Sequence, residues 1–113
     1  MQGDAAERRA ERLLSRAGLR LITRNFRCRG GELDLVMLDG ETLVVVEVRA
    51  RSHRGYAGAA ESVDARKQAR IVTATGMFVA SHPQHAQRPI RFDVVAYDGD
   101  APAQWLQAAF DAG

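Results

Sequence analysis

Two β-rich runs, ELDLVML at 32–38 and ETLVVVEVRA at 41–50, flank Asp39-Gly40, and no other feature constrains the fold as tightly. Asp-Gly between alternating apolar runs is a strong hairpin signal, because glycine accepts the positive φ that a two-residue turn demands. With Asp39 and Gly40 as the loop, Leu38 pairs with Glu41, Asp34 lies opposite Val45, and Glu47 opposite Glu32. Side chains directly across a ladder share a face. Glu32, Asp34, Val36, Leu38, Leu43, Val45, Glu47 and Arg49 are therefore expected to point one way. The other face, with Leu33, Leu35, Met37, Val44, Val46 and Val48, is apolar almost throughout. Such a hairpin must be covered on both sides, and its charges gather where one face opens. That describes a cleft.

In this cleft Asp34 and Glu47 are diagonal neighbours, with Cβ atoms about 7 Å apart. Converging carboxylates repel each other unless a shared proton or a cation lies between them. A hard divalent ion, Mg²⁺ or Mn²⁺, suits two carboxylates together with substrate phosphate. Arg49, next along the same face, would lie beside the ion and reach a phosphate. The competing expectation is a surface Glu47–Arg49 pair of little energetic weight.

The rest of the chain supplies the cover. Residues 4–17 read as a helix, with Asp4 as N-cap, Glu7 completing a capping box, and Ala6, Ala10, Leu13, Leu14 and Ala17 as its apolar stripe. Gly18 fits the position just past its end. LRLITRN (19–25) alternates as a half-exposed strand. A loop at 52–60, which includes His53, leads to a helix at 64–80 capped by Asp64. Ile71, Val72, Thr75, Phe78 and Val79 form its stripe, and Gln68 lies at the stripe's margin. IRFDVVAY (90–97) reads as a strand and PAQWLQAAF (102–110) as a short amphipathic helix. A strand, a long helix and another strand make a parallel crossover, so the expected class is α/β with a mixed sheet flanked by helices.

At 113 residues the chain is expected to form a single domain, 1–113. No apolar run approaches the roughly 20 residues of a membrane span, and no signal-peptide pattern opens the chain. Its one cysteine, Cys28, rules out a disulfide framework and fits a reducing cytoplasm. His82 and His85, in HPQH, lack a third zinc ligand nearby and read as a solvated loop. Net charge is only +2, yet residues 1–29 hold eight arginines against Asp4, Glu7 and Glu11. A basic segment favours a nucleic-acid partner, although a genome that writes arginine for every cation explains it equally well.

The ordered set GELDLV, VVEVRAR, SVDARKQARI and RFDVVAY resembles the YraN-like family of small bacterial proteins, from about Glu7 to Tyr97. The resemblance implies a restriction-endonuclease-like fold with an αβββαβ core and the PD-(D/E)XK motif of DNA nucleases and Holliday-junction resolvases. On it, Asp34 resembles the motif aspartate and Glu47 the motif acid, with the Val48 carbonyl as a backbone metal ligand. Glu7 resembles the first-helix acid of the resolvase branch, and Gln68 a second-helix polar residue near such sites. Arg49 takes the place of the motif lysine, and Leu33 that of the proline before the aspartate. Arginine keeps its proton at any working pH, so Arg49 cannot act as a base, though it can bind phosphate and offset developing charge.

The function implied is a metal-dependent endonuclease acting on duplex or branched DNA. Asp34, Glu47 and Glu7 would hold Mg²⁺ or Mn²⁺, while Arg27, Arg29 and Arg51 track the phosphate backbone. A resolvase-like role would suggest a homodimer. The alternatives are a non-catalytic nucleic-acid-binding module of the same fold and a protein-interaction scaffold whose acids are structural.

Overall fold

A computed structural model describes residues 3–51 and 59–112. Most of the expected loop at 52–60, His53 included, lies outside the described residues. The elements run α1 (Gly3–Arg16), β1 (Arg20–Cys28), β2 (Gly31–Asp39), β3 (Thr42–Arg51), α2 (Ala65–Ser81), β4 (Ile90–Asp98) and β5 (Gln104–Phe110), with single 3-10 turns at Ala60–Ser62 and Pro83–His85. The expected α-β-β-β-α-β order holds, and the strands form one mixed sheet in the order β1-β2-β3-β4-β5. Only the β3–β4 pair is parallel, joined by the α2 crossover.

Each helix forms for local reasons and then covers one face. The end of α1 satisfies its orphan carbonyls in a Schellman arrangement. Gly18, at φ +101°, donates to the Ser15 carbonyl at 3.0 Å, and Leu19 donates to the Leu14 carbonyl at 3.0 Å. Ala6, Ala10 and Leu14 of α1 then pack on Leu35, Met37, Val44, Val46 and Val48, while Ala17 stays exposed past the helix. At the start of α2 the Lys67 amide N–H donates to Asp64 Oδ1 at 2.9 Å, so Asp64 is the expected cap. Ile71, Ala74 and Phe78 of α2 pack on the opposite face, against Val36, Leu38, Leu43, Val45 and Val94.

The hairpin register differs from expectation. Asp39 pairs with Thr42 and Leu38 with Leu43, so Gly40 and Glu41 form the loop. Gly40 alone takes the positive φ, +60°. Asp39 stays in the strand, its carboxylate 3.0 Å from the Arg91 guanidinium. The shift is two residues, an even number, so side chains keep their faces.

One residue breaks that alternation: Leu33 packs with the α2-side cluster rather than with Leu35. Its partner on β1 is Phe26, which also packs on the α2 side. Between Phe26 and Arg24, whose guanidinium binds Glu11 of α1 at 2.7 Å, lies Asn25 at φ +53°. The positive φ twists the ribbon so that two adjacent stretches of it present opposite parity. Asp34 lies on this twist.

The tail at 102–110 is a strand, not the expected helix. Trp105 pairs with Val95 and Leu106 with Val94, antiparallel to β4. Ala108, at φ +50°, accompanies a register shift in this pairing. Its amide N–H donates to the fully buried Asp93 at 3.0 Å, and Trp105 Nε1 donates to the same carboxylate at 3.0 Å. The irregular step moves apolar residues off a period of two and gives the segment its helical look.

Candidate functional site: an acidic pair beside a basic groove

One step beyond the last regular β2–β3 pair, Leu35 with Val46, the ladder opens. Instead of meeting a β2 carbonyl, the Val48 amide N–H donates to Asp34 Oδ2 at 2.8 Å. The two strands part here, and Asp34 and Glu47 meet directly, their carboxyl groups hydrogen-bonded to each other. The pair is closer than the diagonal arrangement expected from the sequence, which follows from the two-residue shift in register.

Asp34 is half-buried and Glu47 is 3 % exposed. Burial pushes the Glu47 carboxyl up to about 8, and the neighbouring Asp34 charge adds to the rise, against the pull of Lys67 and Arg49. Burial also raises Asp34, partly offset by the Val48 N–H and its hydrogen bond with Glu47. Two buried acids in contact therefore share a proton rather than carry two charges.

Two cations close over Glu47. Arg49 Nη1 lies 3.5 Å from Glu47 Oε2, and Lys67 Nζ of α2 lies 3.5 Å from the same oxygen. Arg49 is also fastened sideways, its Nε donating to Ser62 Oγ at 2.8 Å. Ser62 in turn donates to the Ala59 carbonyl at 2.5 Å, so Arg49 is tied into the turn before α2. Lys67 belongs to the first turn of α2 and was not singled out from the sequence. Its signal was there, since it is one lysine among sixteen basic residues.

The other expected site residues are distributed around this centre. Gln68 donates its amide to the Val63 carbonyl at 3.1 Å and lines a separate small cavity with Val94 and Leu106. Glu7 is half-buried on α1, the helix packed on the opposite face of the sheet. Among the described residues, no three His, Cys, Asp or Glu side chains gather as a metal cluster. Glu32 turns outward and pairs with Arg27 at 3.4 Å, both side chains more than half exposed. Arg29 and Arg51 are exposed. His82 stacks on Phe78 at 4.0 Å, and His85 Nδ1 accepts from Arg88 at 3.0 Å, so both imidazoles serve local packing.

Beside the acids runs a groove of about 400 Å³, lined by Arg27, Cys28, Arg29, Gly31, Glu32, Lys67, Arg70 and Ile71. Its floor depends on glycine, because the β1–β2 turn crosses the α2 backbone closely. A Cβ on Gly31 would stand 3.1 Å from the Arg70 carbonyl oxygen. Among the described residues, Lys67 alone both lines the groove and contacts Glu47.

Whether a hard divalent ion suits this place depends on its donors. Two carboxylates and a neighbouring backbone carbonyl are oxygen ligands of the kind Mg²⁺ takes, with substrate or water completing the shell. Two acids brought this close need either a shared proton or a cation between them, so the residues fit such an ion.

Residues 6–97 match the uncharacterised protein family UPF0102. A UPF0102 protein of Pseudomonas entomophila is 53 % identical over 113 residues, covering 96 % of this chain and 92 % of the relative. One from Ectopseudomonas mendocina is 53 % identical over 112 residues, covering 97 % and 94 %. One from Alcanivorax borkumensis is 49 % identical over 112 residues, covering 96 % and 90 %.

Proposed function

The chain belongs to the uncharacterised protein family UPF0102, and from its site geometry we propose that it is a metal-dependent endonuclease of duplex or branched DNA. The observation that carries this reading is the hydrogen-bonded Asp34–Glu47 pair, set where the hairpin opens beside a groove lined by arginines and lysine. A buried acid pair has no use in packing that an apolar pair would not serve better. Next to concentrated positive charge, it suits a reaction centre for a polyanion.

Asp34, Glu47 and the Val48 carbonyl would hold Mg²⁺ or Mn²⁺, without Glu7, which lies on the far side of the sheet. Such an ion, when bound, lowers the pKa of water and offsets charge on phosphate. Arg49, anchored on Ser62 and reaching Glu47, orients that carboxylate and adds fixed positive charge. Gln68 holds the entry to α2 through Val63, which fixes the helix end that faces the acids. Exposed Arg27, Arg29 and Arg51 contact the phosphate backbone, giving affinity that falls with salt.

The test is incubation of the purified protein with labelled branched and linear DNA, in Mg²⁺, Mn²⁺ or EDTA. Cutting that needs metal and is lost in Asp34→Ala and Glu47→Ala supports the proposal. Salt-sensitive binding with no cutting in either metal would leave a binding module instead. The immobilised Arg49, where the nuclease motif has lysine, is the observation that favours this second reading.

A further inference from the structure

We propose that Lys67, not Arg49, is the cation that contacts the scissile phosphate, and that this phosphate arrives through the groove between the β1–β2 turn and α2. The inference rests on the endonuclease reading above and assigns a substrate contact within it.

Arg49 stands at the motif position, but its guanidinium is committed. Its Nε is spent on Ser62 Oγ at 2.8 Å, so turning toward a substrate would break a hydrogen bond. Arg49 also does not line the groove. Lys67 does, and its ammonium lies 3.5 Å from Glu47. A phosphate entering past Arg27, Arg29 and Arg70 therefore meets Lys67 before it meets the acids.

Lys67 also occupies a place that local energetics do not favour. The first turn of a helix carries partial positive charge, where a cation is disfavoured. The backbone of this residue is pinned by Asp64, at 2.9 Å, so its root is fixed. A cation kept in such a place, with its ammonium held toward Glu47, is expected at a functional position. The residue type fits as well. Fifteen other cationic positions are arginine, and the one that bridges groove and acids is lysine. Lysine offers a compact charge with three rotatable donors on a flexible stem, suited to following a phosphate oxygen, whereas the rigid arginine fork is not.

The experiment compares wild type with Lys67→Ala, Lys67→Gln and Arg49→Ala. Two readouts are taken: single-turnover cutting of labelled branched and linear DNA in Mn²⁺, and anisotropy-measured duplex binding in EDTA from 50 to 200 mM salt. Both lysine variants should cut at least about 100-fold more slowly than wild type, a larger loss than Arg49→Ala shows. They should also lower the logarithmic salt slope of binding by about one, as expected when one phosphate contact disappears. Arg49→Ala should leave that slope unchanged. A purely structural Lys67 would not move the salt slope, and melting temperatures of all variants identify any loss through unfolding. If wild type cuts and the two lysine variants cut within about threefold of it, the assignment of Lys67 is overturned while the endonuclease reading stands. If wild type does not cut in any metal while binding salt-sensitively, the endonuclease reading is overturned and the assignment with it.

Discussion

Asp34 accepts the Val48 amide N–H at 2.8 Å and shares a hydrogen bond with Glu47, so one aspartate both ends the β2–β3 ladder and forms the acidic pair. Structure and chemistry meet in a single side chain, and the first consequences concern protons.

Stability should fall as pH rises across the neutral range. Glu47 holds its proton in the folded state up to about 8, against an ordinary value of 4.5. Between those limits the folded protein binds more protons than the unfolded chain, so stability declines from about 4.5 to about 8 and then levels. The slope cannot exceed about 1.4 kcal/mol per pH unit for one group. Urea unfolding at pH 5, 6.5 and 8.5 measures it. Glu47→Gln should flatten the profile; an unchanged slope in that variant would assign the effect elsewhere.

Metal binding should release a proton. An ion held by Asp34 and Glu47 displaces the proton they share, so Mn²⁺ should bind more tightly at pH 8.5 than at pH 6. Titration calorimetry at pH 7 in buffers of different ionisation enthalpy counts protons released per ion, and about one is expected. Asp34→Asn and Glu47→Gln should each abolish the metal-dependent rise in melting temperature. A proton count near zero with tight binding would place the ion at another site.

Asp93→Ala should loosen the fifth strand. The buried carboxylate gathers Arg91 at 2.9 and 3.0 Å, Trp105 at 3.0 Å and the Ala108 amide at 3.0 Å. Removing it leaves the Arg91 guanidinium with Asp39 as its partner and orphans two N–H donors, a loss of about 2–4 kcal/mol. Hydrogen exchange should accelerate first at Trp105–Ala108. Uniform acceleration across the sheet would contradict this local role.

Two glycines should respond in opposite directions to alanine. Gly31 combines φ +150° with a Cβ position 3.1 Å from the Arg70 carbonyl, so Gly31→Ala should cost more than about 1 kcal/mol and narrow the basic groove. Gly76 lies inside α2 with open space where a Cβ would go. Gly76→Ala should therefore stabilise by about 0.5–1 kcal/mol through helix propensity. Denaturation midpoints settle both signs.

The acidic pair was legible in the sequence because strand parity is robust. Choosing the wrong two loop residues moved every partner by two, yet Asp34 and Glu47 stayed neighbours. A slip of one would have hidden them. Gln68 and Lys67 show the opposite case. Ranking α2 residues by the apolar stripe singled out Gln68, which turns to Val63, and passed over Lys67, whose long side chain reaches in from a polar position. Leu33 and the fifth strand were misread for one shared reason. Positive φ at Asn25 and Ala108 breaks the period of two; asparagine is enriched in that region, but alanine gives no such signal. The Asp64 cap and the Gly18 terminus were legible because their side-chain chemistry admits few other uses.

The same two irregularities govern how copies of this protein can meet. β1 and β5 are the outer strands of the sheet, and each carries a non-glycine residue at positive φ, Asn25 and Ala108. A bent strand presents its free N–H and C=O groups out of line, and exposed Arg24 and Arg27 add charge along the β1 side. Neither border offers the straight row of hydrogen-bonding groups that sheet-to-sheet association requires. Pairing of copies edge to edge is therefore disfavoured at both borders of the sheet.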